Sequence, residues 1–220
     1  MARGIFVTGT DTGVGKTVVA VALLRALVAS GQRAAGMKPV SAGIEAGASV
    51  NADVAALFAA GNVDAPLADR NPFAFVPAIA PHLAAAEAGV RIDFAVISAA
   101  HDRLASHSDV VVVEGAGGVL APVDATRDML DIAAQLRLPV LLVVGMRLGC
   151  LNHALLSAAA IRSRDLRLSG WVANCIDPAM SAMRANVDDL ALRLPAPLVA
   201  VIAYGALPVL PPEALDKLGL

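Results

Sequence analysis

Lys16 and Thr17 close a glycine-rich run, Thr8-Gly9-Thr10-Asp11-Thr12-Gly13-Val14-Gly15-Lys16-Thr17. It follows an apolar stretch that starts at Ile5 and precedes the helical pattern Val18 to Val28. An apolar strand, a glycine turn and Gly-Lys-Thr opening a helix make a cradle for phosphate. Backbone N–H groups and the helix N-terminus face the anion, the Lys16 ammonium reaches the outer phosphates, and the Thr17 hydroxyl is a hard ligand for Mg2+. The spacing is longer than in the usual phosphate loop, with five residues between Gly9 and Gly15. A nucleoside triphosphate is the ligand such a cradle takes. The same glycines read as packing alone would make only a strand-to-helix turn.

Chemistry on a triphosphate needs a divalent cation held by oxygen ligands beside the outer phosphates. Thr17, Asp53 and Glu114 are the candidates. Glu114 ends the run Asp109-Val110-Val111-Val112-Val113, where an acid meets its loop, although an acid before Gly115 also starts a turn. Asp53 lies in Asn51-Ala52-Asp53, which opens a helix, and read alone it is a helix cap. Lys38, in Met37-Lys38-Pro39-Val40, stands at the carboxyl end of a predicted strand. Ligands collect at that edge of an open α/β sheet, but so do ordinary solvated charges.

These side chains need elements that deliver strand ends to one edge. Strands are predicted at Arg33 to Val40, Asp109 to Glu114, Pro139 to Val144, Leu168 to Asn174 and Leu198 to Ile202, besides the first. Four consecutive valines suit a strand covered on both faces of a parallel sheet. Helical patterns run over Val54 to Ala60, His82 to Ala88, Phe94 to His107, Met129 to Leu136, Leu151 to Arg162 and Ser181 to Leu192. Asn62 to Pro81 reads as a proline-bearing loop with at most a short strand at Phe73 to Val76. The alternation predicts an α/β fold of the P-loop NTPase kind: a single domain over residues 1–220, a mostly parallel sheet, and helices on both faces.

Composition excludes other classes. Hydrophobic residues make up 57% and charged residues 16% of 220. Yet apolar runs such as Val140 to Val144 fall far short of the ~18 residues of a membrane span. The start shows no signal-peptide pattern, so a soluble cytoplasmic protein with no membrane partner is expected. A net charge of −2 and the lack of any Lys/Arg cluster argue against nucleic acid. Cys150 and Cys175 have no metal-ligand spacing and read as small buried residues. The high apolar content suggests an apolar subunit interface.

Five motifs in order, Gly9-Thr10-Asp11-Thr12-x-Val14-Gly15-Lys16-Thr17, Lys38-Pro39-Val40, Val113-Glu114-Gly115-Ala116-Gly117-Gly118, Gly149-Cys150-Leu151-Asn152-His153 and Gly170-Trp171-Val172-Ala173-Asn174, resemble the dethiobiotin synthetase family. The resemblance spans residues 5 to about 200. It implies an ATP- and Mg2+-dependent ligase of biotin synthesis that carboxylates 7,8-diaminononanoate with CO2 or bicarbonate and closes a ureido ring. By resemblance, Lys16, Lys38 and Thr12 serve the reaction, and Thr17, Asp53 and Glu114 hold the metal. Thr10, Asp11, Gly13, Val14, Gly15, Lys16, Thr17, Glu114, Gly115, Gly117 and Asn174 hold the nucleotide, Asn174 reading the adenine edge. Thr12, Lys38 and Ser41 contact the diamine. The turn Gly149, Cys150, Leu151 and Asn152 takes the distant carboxylate from the neighbouring subunit, which implies a homodimer with a shared site.

The chain departs from the family pattern in places. Gly13 stands where some members carry an acid, and Arg147 where some carry lysine. The hydroxyl usually found immediately before Gly43 has moved to Ser41, leaving Ala42 there. Leu198 to Gly205 lacks the Gly-x-Ile-Pro pattern often present in members. A nucleotide-switched partition ATPase is the competing reading, but such proteins carry a lysine early in the loop where this chain has Asp11. An amide-forming ligase would need a glutamine-hydrolysing domain, for which the chain has no room.

Overall fold

A computed structural model describes residues 3–206 and 208–220. Six parallel strands form the main sheet: β1 (Arg3–Gly9), β2 (Ala34–Met37), β5 (Val110–Glu114), β6 (Val140–Met146), β7 (Leu168–Cys175) and β8 (Leu198–Ile202). Their spatial order is β2-β5-β1-β6-β7-β8. Two shorter strands, β3 (Val40–Ala42) and β4 (Phe73–Phe75), pair parallel in a separate small sheet. The predicted strand Arg33 to Val40 is therefore cut after Met37, since Pro39 cannot donate to a ladder. Beyond it the chain turns to a different sheet.

The helices are α1 (Lys16–Ala29), α2 (Ala52–Ala60), α3 (Leu67–Arg70), α4 (Pro81–Glu87), α5 (Phe94–His107), α6 (Met129–Gln135), α7 (Cys150–Ser163), α8 (Met183–Arg193) and α9 (Ala214–Leu218). Sequence periodicity predicts most of them to within a few residues. It misses α3 and α9, which are too short to show a period.

Both faces of the sheet are covered, as the valine run of β5 requires. Val111 and Val113 pack with Phe6 and the α5, α6 and α7 residues Ile97, Met129 and Ile161. Val110 and Val112 pack with Ile5, Val7 and the α1 residues Leu23 and Leu27. All four valines are fully buried, and each side chain so removed from water contributes about 1.5–3 kcal/mol. The central strand β1 lies between β5 and β6. Because the strands are parallel, the carboxyl ends of β1, β2, β5 and β6 share one edge, and this delivers Gly9, Lys38, Glu114 and Arg147 to the same side.

Candidate functional site

Gly15 marks the point where β1's loop becomes α1. Its φ of +89° lies in the left-handed region, and a Cβ there would stand 2.1 Å from Asn174 Nδ2. Only glycine meets both demands. Asn174 Nδ2 donates to Val14 O at 2.8 Å, Thr10 N to Val143 O at 3.0 Å, and Gly145 N to Thr10 Oγ1 at 3.4 Å. The loop backbone is thus tied to β6 and β7. Lys16 Nζ folds back onto Asp11 O at 2.9 Å.

Lys38 is placed by its main chain. Lys38 N donates to Arg70 O at 2.8 Å, and Asn71 Nδ2 donates to Lys38 O at 2.7 Å. The side chain enters a buried cluster in which Nζ lies 2.5 Å from Glu114 Oε1 and 2.8 Å from Asp53 Oδ2. Thr17 Oγ1 donates to the same Glu114 Oε1 at 2.8 Å. Asp53 is free for this role because Asn51, two residues earlier, caps α2: its side chain accepts from Asp53 N at 3.0 Å and donates to Gly43 O at 2.7 Å.

Burial and charge oppose each other across this cluster. Burial alone would depress the Lys38 amine, but the charges of Glu114 and Asp53 and the bonds to both more than offset it and raise its pKa. Burial pushes the Glu114 carboxyl up against the pull of Lys38. Asp53, less buried, ends lower than usual because Lys38, Thr17 and Lys16 outweigh its desolvation. Lys16 lacks a carboxylate in contact, and burial brings its pKa down to about 8, with Glu114 opposing. Lys38 is therefore a fixed ammonium.

These groups line a cavity of about 750 Å3 together with Thr12, Gly13, Gly15, Gly117 and Gly118. Its remaining wall is apolar and comes from Val18, Ala42, Ala78, Ile79 and Ala80, from Pro81 at the start of α4, and from Ala116 and Ala121. Sequence reasoning places Ala78 to Pro81 at the end of the proline-bearing loop Asn62 to Pro81, because apolar residues carry no chemical signal.

The predicted site residues divide. Lys16, Thr17, Lys38, Asp53, Glu114, Thr12, Gly13, Gly15 and Gly117 come together. Ser41 does not join them: it is fully buried and its Oγ donates to Asn71 Oδ1 at 3.0 Å, so it braces the Lys38 turn from within. Gly115 does not line the cavity: its N–H goes to Val7 O at 2.9 Å and a Cβ would strike the Phe6 ring at 2.9 Å. Thr10 spends its N–H on β6, and the Asp11 carboxylate pairs with Arg147. Val14 is buried and gives its carbonyl to Asn174, whose amide nitrogen is thereby drawn to the loop.

At the start of α7, Gly149 adopts φ +94°. The buried Cys150 spends its N–H on Arg147 O at 3.0 Å, so the expected anion contact through Cys150 is not available. Among the described residues the N–H groups of Leu151 and Asn152 have no acceptor, as the first turn of a helix dictates. This turn does not line the cavity.

The chain is similar to known proteins. A family model for the AAA domain matches residues 3–211. The chain is 52% identical over 204 residues to an ATP-dependent dethiobiotin synthetase BioD of Nitrosospira multiformis, covering 93% of this chain and 89% of that protein. It is 50% identical over 206 residues to the ATP-dependent dethiobiotin synthetase BioD of Aromatoleum aromaticum, covering 93% and 92%. Among solved structures, the septum site-determining protein MinD from Pyrococcus horikoshii, complexed with Mg-ADP, superposes with a TM-score of 0.59 at 16% identity, covering 92% of this chain and 81% of that one. Chloroplast FtsY from Physcomitrella patens gives 0.61 at 16% identity, covering 100% and 65%. At such identity these two establish the fold alone.

Proposed function

The chain belongs to the AAA domain family and, within it, to the ATP-dependent dethiobiotin synthetases, and from that premise we propose how its residues divide the work. It is an ATP-dependent ligase that carboxylates 7,8-diaminononanoate and closes the ureido ring of dethiobiotin, leaving ADP and phosphate. One amine adds to CO2 and loses a proton, giving a carbamate. A carbamate oxygen takes the γ-phosphoryl group as ADP leaves. The second amine then attacks the carbonyl carbon, phosphate departs, and loss of the amine proton completes the ring.

The observation that carries the assignment of roles is the convergence of Lys16, Thr17, Lys38, Asp53 and Glu114 on one cavity wall. Such chemistry asks for positioning and for cations where negative charge develops, rather than for a nucleophile from the protein. Lys38, held as an ammonium, gathers the carbamate oxygens and steadies the transferring phosphoryl group. Lys16 leaves Asp11 O for the phosphates, and the N–H groups of Gly13 and Gly15 face the same anion. Thr12 sits on the cavity side of the loop and contacts the diamine end of the substrate.

Mg2+ fits the donor set of Thr17, Asp53 and Glu114. Glu114 Oε2 is buried without a hydrogen-bond partner. Among the described residues no group of three His, Cys, Asp or Glu side chains gathers, which suits an ion that keeps water and phosphate oxygens in its shell. Held by Thr17, Asp53 and Glu114, Mg2+ would offset the negative charge that develops during phosphoryl transfer. For the base, Asn174 Oδ1 remains the acceptor for adenine while Nδ2 serves the loop.

The distant carboxylate is assigned to the Leu151 and Asn152 N–H groups of a partner subunit, in a homodimer. Leu148, Leu155 and Leu156 support an apolar contact there, at 93%, 37% and 61% exposure. The test of the whole reading is an assay with diamine, bicarbonate and Mg-ATP. Dethiobiotin and phosphate should appear in equal amounts and only with every component present. Phosphate release that ignores the diamine overturns the assignment.

A further inference from the structure

The turn after β6 sends one side chain back onto the phosphate loop. Arg147 Nη2 lies 2.5 Å from Asp11 Oδ2, while Asp11 Oδ1 accepts from Thr12 N at 2.7 Å and Asp11 O accepts from Lys16 Nζ at 2.9 Å. Asp11 is thus a junction that shapes the loop tip and docks the phosphate-seeking lysine. Asp11 is the chain neighbour of Thr12, which lines the cavity, so its carboxylate also brings a negative charge to the loop read as the seat of a polyanion, and like charges repel. An acid there needs a counter-charge.

We propose that Arg147 is a positioning residue for the nucleotide, whose guanidinium neutralises Asp11 so that this acid can shape the loop without repelling the incoming triphosphate. The proposal rests on the reading of the loop as an ATP site. Arg147 and Asp11 side chains are 41% and 47% exposed, so water screens the pair and it adds little to folding. The loop backbone is already anchored through Thr10, Gly145, Val14 and Asn174. The pair therefore acts mainly when ATP brings its own charges to the loop.

The experiment compares the parent, Arg147→Ala, Asp11→Asn and the double variant, after matched melting temperatures show that each folds. Mg-ATP affinity is read by titration calorimetry, and KM for ATP is separated from kcat in the synthesis assay. Arg147→Ala should weaken ATP by about fivefold through KM with kcat nearly kept. Arg147→Lys should stay close to the parent. The double variant should return to near-parental affinity, because no acid is left to neutralise. A double variant as weak as Arg147→Ala overturns the proposal in favour of a tether or a direct phosphate contact, and so does an Arg147→Ala variant with parental affinity. A parent that binds no Mg-ATP instead overturns the ATP reading itself, and the proposal with it.

Discussion

Lys38 Nζ lies 2.5 Å from Glu114 Oε1, so the lysine assigned to the carbamate and an acid assigned to the metal form one buried ion pair, with Asp53 as the second acid. A buried pair contributes little net stability when intact, but losing one partner costs about 3–5 kcal/mol because the other charge is stranded. The cluster therefore makes stability respond to the cation.

Lys38→Met should lower the melting temperature in the presence of EDTA, since Glu114 is 1% exposed and cannot reach water. Added Mg2+ should restore part of the loss by replacing the missing positive charge. Differential scanning fluorimetry with and without Mg2+ measures this. A loss that Mg2+ does not touch counts against the metal assignment.

Glu114→Gln keeps the shape and leaves Lys38 paired with Asp53. The fold should survive, synthesis should fall by on the order of 10²-fold, and half-saturation by Mg2+ should move to higher concentration. Steady-state rates across a Mg2+ series decide the matter, and a curve overlying the parent's would remove Glu114 from the ligand set.

Gly15→Ala should damage nucleotide binding through two separable effects. The left-handed backbone costs about 1–2 kcal/mol for a residue with a Cβ, and that Cβ would collide with Asn174 Nδ2. Adding Asn174→Ala should relieve only the collision, recovering part of the lost stability in urea unfolding. No recovery at all would mean that the backbone conformation alone forbids the substitution.

Acid sensitivity should come in part from the far edge of the sheet. Hydrogen bonds from the Arg33 side chain, then its backbone N–H, lower the Asp109 pKa to about 2. The folded value lies below the unfolded one, so this contribution is complete above about pH 4 and is lost as pH falls through about 2. The melting-temperature advantage of the parent over Asp109→Asn should be constant near neutrality and shrink in that window. An advantage that persists unchanged below it contradicts the pairing.

The proposed homodimer predicts that Leu156→Glu, on the exposed face of α7, sediments as a monomer where the parent sediments as a dimer. Synthesis should drop while Mg-ATP binding remains, because the phosphate loop lies within one chain. A variant that stays dimeric and active would place the subunit contact elsewhere.

The sequence by itself determined what local rules encode. The Gly15-Lys16-Thr17 turn, the four-valine strand suited to cover on both faces and the helix over Leu151 to Arg162 follow from backbone geometry and hydrophobic period, which act over a few residues. Lys38, Asp53 and Glu114 were each legible as candidates, but with a plain alternative reading apiece. Only the tertiary structure brings the three together, because it joins Lys38 to partners 15 and 76 residues away. It also buried Ser41 behind Asn71, brought Arg147 onto Asp11 across 136 residues, and supplied an apolar wall from Ala78 to Pro81. Those outcomes depend on the path of the chain after β2 and on strand order. A sequence records neither directly, since each is settled by which distant surfaces bury together.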